Sequence, residues 1–231
     1  MKQLARWLKI GALALLGLIL VYQFWLFGWV LWWNWVNPGS TRFMAIRLAE
    51  LRQKTPKAEL KFQWVPYDRI SDHLKQAIVA AEDAKFVDHE GFDWDGIQKA
   101  LEKNQRKGRI VAGGSTISQQ LAKNLFLSPD KTPWRKAEEA LITLMLEAVW
   151  DKQRILEVYL NVIEWGNGVF GAEAAARHYY GTSAARLAPE QAARLAGMVP
   201  NPRYYDRNRS APGLGRKAAI IQSRMPSAEL P

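Results

Sequence analysis

The chain contains no cysteine, which removes disulfide frameworks, thiolate nucleophiles and cysteine-ligated zinc from consideration. The lack is compatible with an oxidising compartment. Histidine is nearly as scarce: His73, His89 and His178 make up the whole complement of 3, and no two of them stand at the spacing of a metal-binding pair. No acidic residue precedes Glu50. No stretch alternates apolar and polar residues for long enough to suggest a sheet, and there is neither an internal repeat nor a low-complexity tract. Any chemistry must therefore rest on carboxylates, amides, hydroxyls and cations.

What is present begins with a long apolar run. Residues 10–36 are interrupted only by Gln23 and Asn34, which is enough helix to cross about 30 Å of hydrocarbon at about 1.5 Å per residue. Trp25, Trp29, Trp32, Trp33 and Trp35 crowd its second half, where indole rings settle at a lipid–water boundary. Lys2, Arg6 and Lys9 precede it, so the N-terminus is expected in the cytoplasm and the remainder exported across the membrane. A cleaved signal peptide fits less well, because the run exceeds a usual h-region and no small-x-small cleavage site comes before the tryptophans. The expected organisation is a basic tail over 1–9, a membrane helix over 10–36, a connector over 37–65 with a short helix, and one catalytic domain over 66–231.

At 231 residues and 48% hydrophobic composition the chain can build one substantial core. Its net charge is +10, and only three of its 32 basic residues lie in the leading tail, so the body itself is basic. For an anchored, exported domain such a surface meets anionic headgroups and pyrophosphates rather than nucleic acid. Apolar residues at spacings of three and four predict helices over 68–84, 94–107, 115–125, 134–150, 152–161, 171–180 and 189–198. Glycines 166, 168 and 171 break one helix from the next, and Pro200, Pro202 and Pro212 mark the end of the last of these helices. The tail beyond Arg209 is expected to be loosely ordered.

Two neighbouring stretches carry chemical promise. In the first, AAEDAKFVDHEG over 80–91, Ile70, Leu74 and Ile78 step by four toward Glu82, which places a carboxylate in a row otherwise apolar. Partial burial and a helix C-terminus both disfavour its ionised form and push its pKa toward the range of a general base or acid. Taken alone, the Glu-Asp pair reads as a solvated helix end. In the second, GGSTISQQLAKNLFL over 113–127, two glycines precede Ser115, Thr116, Ser118, Gln119, Gln120, Lys123 and Asn124. Such a density of hydrogen-bonding groups suits a polar ligand, an anion at a helix N-terminus included, while Ser115 or Thr116 could equally be an N-cap. A third carboxylate, Glu139, follows Arg135 by one turn and borders an apolar stripe. By chemistry alone Glu138 and Glu147 compete with it, and a surface ion pair with Arg135 is the bland alternative.

The segments EDAKFVDHEG, GGSTISQQLAKNLFL, RKAEEALITLMLE, KQRILEVYLNVIEWGNGVFGAEAAARHYYG and LAPEQAARLAGMVPNPRYY resemble, in order, the five motifs of the peptidoglycan glycosyltransferases. This is the family of the transglycosylase domain of class A penicillin-binding proteins, and the likeness is strongest to its monofunctional, membrane-anchored members. It covers about residues 64–206. The resemblance implies an all-α, lysozyme-like catalytic domain on one N-terminal transmembrane helix. It also implies a substrate, lipid II, which is a disaccharide-pentapeptide on undecaprenyl pyrophosphate, with the nascent glycan as donor, membrane lipid around both, and other cell-wall synthesis proteins as further partners.

By the same resemblance Glu82 and Glu139 are the catalytic carboxylates, Glu82 as general base on the acceptor 4-hydroxyl and Glu139 as the Glu of the R-K-x-x-E pattern. Arg135 and Lys136 serve the pyrophosphate with it, directly or through a divalent cation such as Mg or Mn near Glu139, no cofactor being obligatory. Ser115, Thr116, Gln120, Lys123 and Asn124 are expected to bind substrate, together with Asp83 and Phe86. Lys131 and Arg203 are further phosphate contacts in prospect, and His89 a structural hydrogen-bonding residue. In the fourth motif Asn161, Gly166 and Gly171 are expected to shape turns, and Tyr159, Leu160 and Tyr179 to pack in the core. One departure stands out: an alanine usual four residues after the third motif's Glu is Thr143, an exchange a helix surface would tolerate. Bifunctional relatives continue into a transpeptidase domain, whereas this sequence stops at Pro231, so glycan polymerisation without crosslinking is expected. Two alternatives use the same parts: a lysozyme-like glycan hydrolase, with two carboxylates and no pyrophosphate, and a non-catalytic scaffold binding lipid II, which would not need both carboxylates.

Overall fold

In the computed structural model, which describes residues 2–109 and 113–231, an apolar helix leads into a helical body. Helix α1, Lys2–Trp35, is the one helix among the described residues long and apolar enough to cross a membrane. It is not a free tether. Leu26 and Val30 near its end are buried against the body, and the indole N–H of Trp150 donates to the Val30 carbonyl at 2.8 Å. Arg154 donates to the Trp33 carbonyl through Nε and Nη2, at 3.2 and 2.7 Å, and to the Val36 carbonyl at 3.2 Å. The last carbonyls of a helix have no partner within it, and here one guanidinium supplies both hydrogen bonds and a positive charge at the negative end of the dipole.

The body contains α2, Arg42–Lys54, α3, Asp72–Glu82, α4, Trp94–Lys107, and α5, Ile117–Phe126. There follow α6, Pro133–Val149, α7, Lys152–Val162, α8, Ala172–Tyr180, and α9, Pro189–Met198. The chain closes with α10, Pro202–Arg207, and α11, Pro212–Arg224. The architecture is all-α and lysozyme-like, with one addition that the sequence pattern did not announce. Strands β1, Lys61–Phe62, β2, Glu164–Gly166, and β3, Val169–Phe170, form a sheet in the order β1-β3-β2, with β1 parallel and β2 antiparallel to β3. Strands of two and three residues are too short to leave an alternating signature.

Helix α3 starts later than its apolar spacing predicts, because Tyr67–Arg69 after Pro66 coil into a 3-10 turn. Its row behaves as expected: Ile70, Leu74 and Ile78 are buried and Glu82 is the last helical residue, half-buried. Helices α3, α5, α6 and α7 contribute Leu74, Ile78, Leu121, Ile142 and Tyr159 to one continuous core. Asn161 ties the connector to it by exchanging hydrogen bonds with Val65, accepting from its N–H and donating to its carbonyl, both at 2.9 Å. Gly171 turns at φ +83°, where a side chain would strike the Asn161 carbonyl 2.7 Å away.

The tail after Arg209 is ordered, contrary to the expectation of loose structure. Pro212 opens α11 instead of ending order, a placement that suits proline because the first helical N–H needs no partner. Helix α11 packs on α9 and α3. Leu214 and Ile221 are buried, and a side chain at Gly197 would meet Leu214 at 3.1 Å, so the glycine gives α11 its close seat.

Candidate active site

Glu82, at the end of α3, accepts a 2.8 Å hydrogen bond from the side-chain amide of Gln120 on α5. The orientation of that amide is set from behind. Tyr159, enclosed in the core, donates its hydroxyl to Gln120 Oε1 at 3.0 Å, so the Gln120 nitrogen must face the carboxylate. Burial raises the Tyr159 pKa well above its ordinary value, which keeps the phenol a donor. Burial likewise raises the Glu82 pKa, against the lowering influence of Gln120, Lys217 and Lys123. The result is a carboxylate more basic than an exposed one, held by a single neutral donor.

Glu139, buried on α6, has both oxygens engaged by cations one turn back: Arg135 bonds one and Lys136 the other. Lys136 reaches further and donates to the Ser115 hydroxyl at 3.2 Å. Lys123 on α5 lies in the field of both carboxylates. Burial lowers its pKa, and Glu139 and Glu82 work to raise it. Arg135 and Lys136 are thus paired with one buried carboxylate, and Lys123 lies within the field of both that carboxylate and Glu82. This arrangement can take an anion and abstract a proton nearby. It does not suit a divalent cation at Glu139, since the oxygens that would bind the ion already carry an ammonium and a guanidinium. Among the described residues no three His, Asp or Glu side chains come together as a metal cluster.

Other residues singled out in the sequence occupy supporting places. Asp83 is buried and bridges two elements: one oxygen accepts from the Ile117 N–H at the start of α5 at 3.0 Å, the other pairs with His89 Nε2 at 2.9 Å. Asp83 therefore fixes α5, and with it Gln120, relative to Glu82, and His89 is structural as expected. Thr116 is the N-cap of α5 in a capping box with Gln119 and donates to the Gly91 carbonyl at 2.7 Å. Asn124 is buried and donates to the Gln120 carbonyl at 2.7 Å. Phe86 is wholly enclosed beneath the ammonium of Lys152, 4.8 Å from the ring centre. Of the expected contact residues, then, Ser115, Gln120, Lys123, Arg135 and Lys136 gather about the two carboxylates, whereas Asp83, Phe86, Thr116 and Asn124 make their contacts with other parts of the protein.

Thr143 is not on a helix surface. It is fully buried, its hydroxyl donates to the Glu139 carbonyl at 2.7 Å, and its methyl packs on Gly91. Of the competing carboxylates, Glu147 is bound by Ser118 and Lys152, and Glu138 lies at the edge of the membrane helix. Arg203 pairs with Glu50 at 3.1 Å, in a separate cleft.

One charged side chain near the candidate base carries no mark in the sequence motifs. Lys217 on α11 lies near enough to Glu82 for its charge to lower the Glu82 pKa, while burial lowers that of Lys217 itself. Its ammonium is steered by the Gly197 carbonyl at 3.1 Å. The signal was there in the Leu214/Ile221 spacing of seven residues, an amphipathic helix bearing a lysine beside its apolar stripe, and was lost by reading Pro212 as a terminus.

Comparison with known proteins points to one family. The family model described as Transglycosylase matches residues 49–226. Proteins named biosynthetic peptidoglycan transglycosylase are similar over nearly their whole lengths. That of Dechloromonas aromatica is 79% identical over 231 residues, covering 100% of both chains. That of Chromobacterium violaceum is 66% identical over 218 residues, 94% of this chain and 96% of the relative, and that of Methylobacillus flagellatus 67% over 221 residues, 96% of each.

Proposed function

The chain belongs to the transglycosylase family, is a peptidoglycan glycosyltransferase, and we propose that it lengthens glycan strands by inverting transfer from undecaprenyl pyrophosphate. The donor is the growing strand and the acceptor is lipid II. Glu82 takes the proton of the acceptor 4-hydroxyl as that oxygen bonds to the anomeric carbon of the donor. The bond from that carbon to the pyrophosphate breaks with its electron pair leaving on the pyrophosphate oxygen. Inversion follows from attack on the face opposite the leaving group.

The observation that carries this reading is the polarity of the cleft: a carboxylate made more basic by burial on one side, and three cations around a buried carboxylate on the other. Lys123, Arg135 and Lys136 balance charge that appears on the pyrophosphate only as the bond breaks, which is where stabilisation accelerates a reaction. Glu139 holds Arg135 and Lys136 in place, and the three cations do this work without a metal held by the protein. The charge of Lys217 lowers the Glu82 pKa and so tunes the base. In this reading the chain polymerises glycan and leaves peptide crosslinking to other proteins; the relatives it matches are named biosynthetic peptidoglycan transglycosylase. The helix α1 anchors the enzyme in the bacterial inner membrane with its N-terminus in the cytoplasm and the body in the periplasm, in keeping with Lys2, Arg6 and Lys9 on one side.

The test is to supply lipid II to the purified full-length protein in detergent and analyse the products. Formation of long glycan that a muramidase degrades is the expected result. Lipid II left intact while finished glycan is cleaved would make the protein a hydrolase, and binding without turnover would make it a scaffold.

A further inference from the structure

A groove of about 600 Å³ runs between the membrane helix and the body, and the reaction as described makes no use of it. From α1 it is lined by Trp25, Trp29 and Trp33, whose rings follow one another at centroid distances of 6.3 and 5.1 Å. From the body come Leu125 to Leu127 at the end of α5, with Phe126 against Trp33 at 5.1 Å. Trp25 remains 57% exposed and Trp29 37%, so much of this aromatic surface is left open by the described residues. At the polar margin stand Arg42, Arg135, Ser128 and Glu138, the last with Tyr22 beside it.

Composition and position together select an occupant. An apolar groove in the half of a membrane helix nearest the body opens to hydrocarbon, so its ligand is a lipid chain. Arg135 decides which lipid. It lines the groove and also bonds the buried Glu139 of the candidate site, so a chain lying in the groove has its charged end delivered among the site's cations. Arg42 adds a second positive charge at the mouth. A long apolar chain ending in pyrophosphate matches both ends at once, whereas a bulk phospholipid matches the groove but has no reason to reach the site.

We propose that this groove seats the polyprenyl chain of the donor next to its pyrophosphate, so that the strand is held by its lipid through successive transfers. The proposal rests on the glycosyltransferase reading and assigns the membrane helix a place in substrate binding as well as anchorage.

The experiment uses the full-length protein in phosphatidylcholine nanodiscs and a polyprenyl monophosphate carrying a diazirine on its proximal isoprene units. Because the monophosphate lacks a transferable sugar, labelling is read apart from turnover. The expected result is labelling confined to residues 22–33 and 125–128, competed by about a tenfold excess of undecaprenyl phosphate and not by phosphatidylglycerol. Ser128→Trp, which fills the mouth from a partly exposed position, should reduce it about fivefold or more. Equal competition by phosphatidylglycerol, or label spread evenly along α1, would overturn the proposal. Should Ser128→Trp fail to fold, the competition on the wild type decides. Polymerisation of lipid II without groove labelling would sink the groove alone; specific labelling without polymerisation would sink the reaction and leave a site for a phosphorylated lipid.

Discussion

Replacing Arg154 by alanine should loosen the membrane helix from the body. The guanidinium makes two hydrogen bonds to the Trp33 carbonyl, one to Val36, and one at 2.8 Å to the Asn37 side chain. The contacts to Val36 and Asn37 are exposed and water can replace them, so little is counted for them. The part-buried, charge-assisted bonding to Trp33 contributes about 1.5–3 kcal/mol. The positive charge at the helix C-terminus adds about 0.3–1 kcal/mol. The loss is then about 2–4 kcal/mol, and at about 2–4 °C per kcal/mol for a chain of this size the melting temperature should fall by about 4–16 °C. Arg154→Lys, which keeps the charge and loses the planar fork, should fall between the two. Thermal unfolding followed by intrinsic tryptophan fluorescence in detergent reads the effect directly, since Trp33 and Trp150 sit at the joint. An Arg154→Ala protein that melts with the wild type would refute the docked anchor and leave α1 a mere tether.

Further consequences concern the site. Because burial raises the Glu82 pKa in the folded protein, stability falls as the pH climbs from the ordinary carboxylate range to that raised value, the full cost is present above it, and the cost vanishes below the ordinary range, where both folded and unfolded forms are protonated. Glu82→Gln should therefore melt a few degrees higher than wild type near pH 8, with the difference closing below about pH 4; an unchanged or lower melting temperature at pH 8 would argue against a destabilised base. Lys217→Met removes a charge that lowers the Glu82 pKa, so the acid limb of the pH–rate profile should move to higher pH, and a limb that stays put would remove Lys217 from the site. Gly91→Ala forces a side chain into φ +87° with its Cβ 2.8 Å from the Thr143 methyl and should cost about 1–3 kcal/mol. Adding Thr143→Ser, which deletes that methyl and keeps the hydroxyl, should return part of it in a chemical denaturation series.

Much of this was legible in the sequence, and what was not has a common cause. The row Ile70, Leu74, Ile78, Glu82 could be read because a helix repeats its neighbours every four residues, and a hydroxyl residue at 115 or 116 marks the N-cap of α5, which is Thr116. Bonds between residues far apart in the chain leave no such local mark. Arg154 meets Trp33 across 121 positions and Tyr159 meets Gln120 across 39, and neither pairing shows in any window of residues. Thr143 and Phe86 were misplaced for a related reason: a motif names which residues recur together, not which of them face the cleft and which support it from beneath. The C-terminal helix was hidden by its own small residues, Gly213, Gly215, Ala218 and Ala219, whose weak apolar signal suffices only because Gly197 lets the helix approach closely.

The central claim is that Glu82 removes the proton while the cations around Glu139 receive the leaving group. Single-turnover transfer measured with preloaded donor strand and lipid II, for wild type, Glu82→Gln and Glu139→Gln, tests it most directly. Glu82→Gln should bind both substrates with unchanged affinity and lose the chemical step by several powers of ten. Glu139→Gln should weaken donor binding and the chemical step together, because Arg135 and Lys136 lose the charge that holds them. Glu82→Gln turning over within about tenfold of wild type would contradict the account and require another base.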